Sequence, residues 1–177
     1  TYDFTGSEWL ASMRINASGA WQDNAITIDY WFYPTATDIQ LLSECGFPDV
    51  TSGYHYSLLE INSSGNVKAR FWTGTALTSS NTVELNKWNH IYFTENSSGV
   101  HTFQLNGVAT TAPTYTRIKP DNEYFVIGLS DVTNMGSTGR FQGKIGILEI
   151  HDYVASSTYV SRGPKFRPVT AYGQAVN

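Results

Sequence analysis

Apolar and polar residues alternate with a period of two along most of the chain, and no stretch sustains the 3.6-residue apolar period of a long helix. The clearest run is residues 25–34, where Ile26, Ile28, Tyr30 and Phe32 fall on one side and Thr27, Asp29, Trp31 and Tyr33 on the other. Pro34 has no N–H to give a ladder and ends that strand. Further strands are predicted over residues 39–44, 54–61, 66–72, a stretch beginning at Trp88, 100–106, 124–129 and 144–154. Ser63-Ser64-Gly65-Asn66 and Asn96-Ser97-Ser98-Gly99 read as turns, with Gly65 in the left-handed position, and Asn106-Gly107 is the strongest short hairpin signal. Roughly ten short strands punctuated by turns predict an all-β, antiparallel two-sheet β-sandwich of jelly-roll type. The polar loop of residues 130–140 is a candidate for function by position. Past Ser156 a helical turn is expected, and Gly163, Pro164 and Pro168 predict an extended tail, giving a sandwich domain over residues 1–160 and a C-terminal arm over 161–177.

The same alternation nominates a core and a site. With Ile26, Ile28, Phe32, Val67, Ala69, Phe71, Ile91 and Phe93 turned inward, Trp31, Tyr33, Arg70, Trp72 and Tyr92 turn away from the core. Aromatic rings on a sheet surface stack on the apolar faces of sugar rings, and Asp29 and Arg70 can orient hydroxyls by hydrogen bonding. Asp29, Trp31, Tyr33, Arg70, Trp72 and Tyr92 are therefore the candidate ligand-binding residues. The competing reading covers this face with loops or a neighbouring subunit, making the aromatics a second core or an interface.

Composition narrows the partners. Charged residues are 15% of the chain, below the roughly 25% of an average soluble domain, and hydrophobic residues reach 41% in 177 residues. A length of this order buries roughly 70% of the unfolded surface, enough for one core. The net charge is −4 and the basic residues form no run, so no nucleic-acid footprint is present. No apolar run approaches the ~20 residues that cross a bilayer, and no leader-like segment is seen, so no membrane insertion is expected. Thr1 in place of Met suggests a processed product or a piece of a longer chain. Cys45 is the single cysteine, which excludes an internal disulfide and reads as a small buried residue.

Several segments taken in order resemble the laminin-G-like branch of the concanavalin-A-like lectin and glucanase superfamily. These are Tyr2-Asp3-Phe4-Thr5-Gly6, the strand from Ile26 to Pro34, Leu41-Leu42-Ser43, Trp88-Asn89-His90-Ile91, Leu105-Asn106-Gly107 and Phe141-Gln142-Gly143-Lys144-Ile145. The resemblance implies the concanavalin-A-like sandwich and a lectin-like role. An acid often follows the closing Ile in that family; Gly146 stands there, which removes an oxygen ligand for calcium. The tail, from Tyr153 through Tyr159 to Phe166-Arg167-Pro168, resembles the endings of such modules in viral and phage structural proteins.

Catalytic patterns are missing. A retaining glucanase needs carboxyl groups about 5 Å apart, and no E-x-D-x-E cluster occurs; Glu44 and Asp49 straddle a loop, and Glu149 and Asp152 are expected on opposite faces of a strand. His55, His90, His101 and His151 lack a G-x-S-x-G elbow or an H-E-x-x-H pair to work with, and His90 reads as a structural strand residue. Asp121, Asp131 and Asn134 offer hard oxygen ligands, so calcium is the one cofactor considered, although turn chemistry is the favoured account of them. Asn16, Asn62 and Asn96 head N-x-S sequons at a chance frequency for this composition. The expectation is a non-enzymatic, lectin-like binding module, extracellular or on a virion surface, whose partner is a glycan or cell-surface receptor. The alternative is a purely structural capsid or fibre component contacting neighbouring subunits; a glycoside-active enzyme stands third.

Overall fold

Burial alternates along β3 (Ile26–Pro34) as the sequence pattern requires: Ile26, Ile28, Tyr30 and Phe32 are buried, while Asp29, Trp31 and Tyr33 are half-buried. A computed structural model describes residues 2–5, 10–14, 25–46, 55–69, 76–111, 122–127, 139–151 and 153–154. Among them the other strands are β1 (Tyr2–Thr5), β2 (Leu10–Arg14), β4 (Ile39–Gly46), β5 (His55–Ile61), β6 (Asn66–Ala69) and β7 (Leu77–Thr82). The series continues with β8 (Asn89–Glu95), β9 (His101–Leu105), β10 (Val108–Thr110), β11 (Asn122–Ile127) and β12 (Gln142–His151), and no helix is described. Two six-stranded sheets result, in the orders β1-β12-β3-β8-β9-β10 and β2-β11-β4-β5-β6-β7, with neighbouring strands antiparallel. The fold is the all-β sandwich that the alternation predicts.

The core lies between the sheets. Ile26, Ile28, Tyr30, Phe32, Ile91, Phe93, Phe103 and Leu105 from the β3 sheet meet Leu41, Leu42, Leu58, Leu59, Ile61, Val67 and Ala69 from the β4 sheet. Removing this apolar surface from water supplies the main driving force, at roughly 25 cal/mol per Å². The Tyr30 hydroxyl crosses between the layers to donate to the Leu41 carbonyl at 3.4 Å, and its complete burial pushes the phenol pKa upward. The expected core residues Val67, Ala69, Ile91 and Phe93 are all fully buried, whereas Phe71 lies outside the described residues.

Turn chemistry acts where the residues announce it. Asn106 and Gly107 both take positive φ, 52° and 78°, the requirement of a two-residue type I′ hairpin between β9 and β10. Gly65 turns β5 into β6 at φ 83°, and the Asn62 side chain accepts from the amides of Ser64 and Asn66 at 3.0 and 2.9 Å. The turn headed by Asn96 repeats that device on Ser98 and Val100, which gives these sequon asparagines a backbone role. Gly143, at φ 138°, lies so close to β3 that a Cβ there would fall 1.9 Å from the Tyr33 carbonyl oxygen.

Three short strands, β2, β7 and β10, were not foreseen. In β7 the inward positions are Leu77 and Ser79, so the apolar signal is a single residue. Ser79 is held by hydrogen bonds instead: its hydroxyl accepts from the Val67 amide at 2.9 Å, where the β6–β7 register shifts. The edges of the two sheets are stitched together at β7 and β10. Ser80 N–H donates to Thr110 Oγ1 at 3.0 Å, Ser80 Oγ to the Ala109 carbonyl at 3.3 Å, and Asn81 Nδ2 to the Leu105 carbonyl at 3.1 Å.

Candidate functional site

The outer face of the β3 sheet carries the chemistry. Alternation along β3 and β8 sets Asp29, Trp31 and Tyr33 beside Tyr92, His90 and Trp88, since Asp29 pairs with Tyr92 and Trp31 with His90 across the ladder. His90 Nε2 and Asp29 Oδ1 are 2.8 Å apart, and the Trp31 indole stacks on the His90 ring with centroids 4.5 Å apart. Tyr33 and Trp88 meet edge to face at 5.7 Å. The Tyr92 phenol pKa is raised, first by desolvation and second by the negative field of Asp29.

Trp88 is positioned by a buried amide network. Asn89, fully buried, accepts from the Glu84 amide at 2.9 Å and donates to the carbonyls of Glu84 and Lys87, locking the loop that carries Trp88. Asn106 Nδ2 donates to Asn89 Oδ1 at 2.9 Å, while Asn106 Oδ1 accepts from the His90 amide at 2.8 Å. The Trp88-Asn89-His90 and Leu105-Asn106-Gly107 segments are thereby one hydrogen-bonded unit.

Accessibility falls across the face from β12 to β8. On β12, Lys144, Gly146, Ile147 and Glu149 are exposed; on β3, Asp29, Trp31 and Tyr33 are half-buried; on β8, His90 and Tyr92 keep 7% and 3% of their surface. The open part is thus a strip over β12 and β3, bordered on the β8 side by the buried His90 and Tyr92 and flanked by Trp31, Tyr33 and Trp88. Glu149 enters this strip because of a bulge. The β12–β3 register shifts between Ile145 and Leu148, so Glu149 stands opposite Asp29 and its Oε2 lies 3.4 Å from His151 Nε2. At the end of the strip Thr27 Oγ1 donates to the Tyr153 carbonyl at 2.6 Å.

Four of the six residues nominated from the sequence, Asp29, Trp31, Tyr33 and Tyr92, share this face. Arg70 and Trp72 lie outside the described residues, and the strand that leads to them, β6, belongs to the opposite sheet. Among the described residues β3 and β8 share a sheet and β6 belongs to the other. Trp88, His90 and Glu149 join the site without having been nominated. Trp88 was signalled by its outward position two residues before His90, whereas Glu149 was hidden by the bulge. Asp121, Asp131 and Asn134, considered for calcium, fall outside the described residues, among which no cluster of His, Cys, Asp and Glu suits a metal ion.

The family described as the concanavalin A-like lectin/glucanases superfamily matches residues 10–161 of the chain. The chain belongs to that superfamily. This concanavalin A-like domain is similar in structure to the Ruminococcus gnavus IT-sialidase CBM40 bound to α2,3-sialyllactose, at TM-score 0.64 and 14% identity over 89% of this chain and 92% of that one. It is similar to the K499G mutant of NanB sialidase from Streptococcus pneumoniae, at TM-score 0.64 and 15% identity, covering 92% of this chain but spanning only 27% of the sialidase. A third likeness is to domain 4 of AbnA, an extracellular arabinanase from Geobacillus stearothermophilus in complex with arabinotriose, at TM-score 0.57 and 16% identity over 89% of this chain and 73% of that domain. No curated protein sequence matches the chain. A Cβ on Gly146 would meet the Trp88 ring at 3.0 Å and Trp31 Cβ at 3.3 Å, so the Trp88 indole lies close over this glycine.

Proposed function

We propose that this domain is a non-catalytic carbohydrate-binding module that seats a glycan on the strip between β12 and β3. The observation that carries this reading is the presentation of Trp31, Tyr33 and Trp88 at the surface beside Asp29 and Glu149. Indole faces and edges take up the C–H surface of sugar rings, and carboxylates accept hydrogen bonds from hydroxyl groups. Support comes from the structural likeness to modules in complex with sialyllactose and with arabinotriose. Both carboxylates are already approached by histidines, His90 and His151, an arrangement suited to fixed acceptors. An extracellular or virion-surface setting, with attachment or surface decoration as the role, belongs to the same proposal and rests on the polar, charge-poor composition.

The test is a glycan array followed by titration calorimetry with the oligosaccharide retained best. Trp31→Ala and Trp88→Ala are each expected to weaken binding by at least about tenfold, in the range that one stacked aromatic supplies. Wild-type retention of no glycan on the array would overturn the proposal.

One observation favours a second reading. Thr27, His90, Tyr92 and Thr94 on the same face are buried to the level of a core, as an outer layer that buttresses the sheet or meets a subunit would be. In that case Trp31→Ala lowers thermal stability or shifts the oligomeric state and leaves glycan retention unchanged.

A further inference from the structure

We infer that the sugar held on the β12–β3 strip is an uncharged one and that the site discriminates against carboxylate-bearing glycans, sialic acids and uronates included. The inference deepens the module reading and rests on it. It follows from the signs of the charges that the folded strands bring together. Asp29 and Glu149 stand directly opposite each other on β3 and β12, both on the outer face. Side chains so paired have Cβ atoms roughly 5 Å apart, close enough for both fields to act on one bound ring.

The cation among the strand positions of this strip is Lys144, opposite Tyr33, and its Nζ lies 3.3 Å from Asp3 Oδ1. That pair is exposed and lies at the rim. Recognition of a sugar carboxylate is served by a planar guanidinium that donates two parallel hydrogen bonds. Among the described residues of the strip, the charged groups besides Lys144 that face a ligand are two carboxylates, with Trp31, Tyr33 and Trp88 around them. Hydroxyl-rich neutral rings satisfy acceptors by donating to them, whereas an anionic ring adds a third negative charge against Asp29 and Glu149. His90 Nε2 and His151 Nε2 lie 2.8 and 3.4 Å from an oxygen of Asp29 and of Glu149, respectively. The likeness to a sialyllactose-bound module is one of fold, at 14% identity.

The experiment uses an array of glycan pairs identical except for a terminal sialic acid or a uronate in place of the neutral sugar, read at low and high salt. The expected result is retention of uncharged members and at least tenfold weaker retention of their anionic counterparts. High salt should narrow that gap, because the repulsion is between partly solvated charges. Glu149→Gln, whose side chain is 46% exposed and so tolerates the change, is expected to narrow it as well without salt. Equal or tighter binding of the anionic members overturns the inference while leaving the module reading intact. Retention of neither overturns both. A gap untouched by salt and by Glu149→Gln overturns the charge mechanism assigned to it.

Discussion

Two histidine–carboxylate pairs sit on opposite faces of the same sheet, both involving β8. On the outer face His90 and Asp29 are 2.8 Å apart with 9% and 14% of their side chains accessible. On the inner face His101 and Glu95 are 3.1 Å apart with 0% and 4%. The ring of His101 lies 5.8 Å from that of Phe93, deep in the apolar layer, whereas His90 carries Trp31 on its face. The chemistry is the same and the surroundings differ. A pair with no solvent contact is costly to break because the surviving partner is left without water, while a pair that keeps some contact with solvent leaves its survivor a route to water. The inner pair therefore belongs to the fold, and the outer pair is free to serve a ligand and to orient an indole.

That contrast is testable from the largest effect downward. Glu95→Ala is expected to lower the unfolding free energy by about 3–5 kcal/mol, read by urea denaturation; a loss no greater than that of an outer-face variant would erase the distinction. Next comes alkaline pH. Burial raises the Tyr30 phenol on the inner side and, together with Asp29, the Tyr92 phenol on the outer side. Unfolded phenols ionise near about pH 10, so above that point the unfolded state releases protons that the folded state retains. Stability is then full below about pH 10 and falls above it, by at most about 1.4 kcal/mol per pH unit for each such group. Tyr30→Phe should flatten this decline more than Tyr92→Phe does in urea titrations spanning about pH 9 to 11; the reverse order would contradict the assigned burial. The smallest effect is expected of Asp29→Asn, at about 1 kcal/mol or less, with a larger loss in glycan titration than in thermal unfolding.

Much of the fold was legible because strand alternation assigns faces residue by residue. Ile26 through Phe32, Val67, Ala69, Ile91 and Phe93 all fall where the pattern puts them. Asn106-Gly107 needed only its backbone preference to be read. Sheet membership is a different kind of information: nothing local to β6 says which sheet it joins, and it joins the one opposite β3 and β8, while Arg70 and Trp72 lie outside the described residues. Strict alternation would also turn Glu149 inward with Ile145, and only the irregularity between Ile145 and Leu148 brings it round to face Asp29. The pairing of Asn89 with Asn106 joins residues 17 apart through side-chain amides and leaves no periodic trace.

The hydroxyl and amide stitching between Ser80, Asn81, Ala109, Leu105 and Thr110 has a consequence for how copies of the domain can meet. Along that margin the Ser80 N–H and the Ala109 and Leu105 carbonyls are already bonded within the molecule, which leaves fewer groups to template a foreign strand. Two copies brought side by side along this margin therefore meet backbone groups that are in part already engaged.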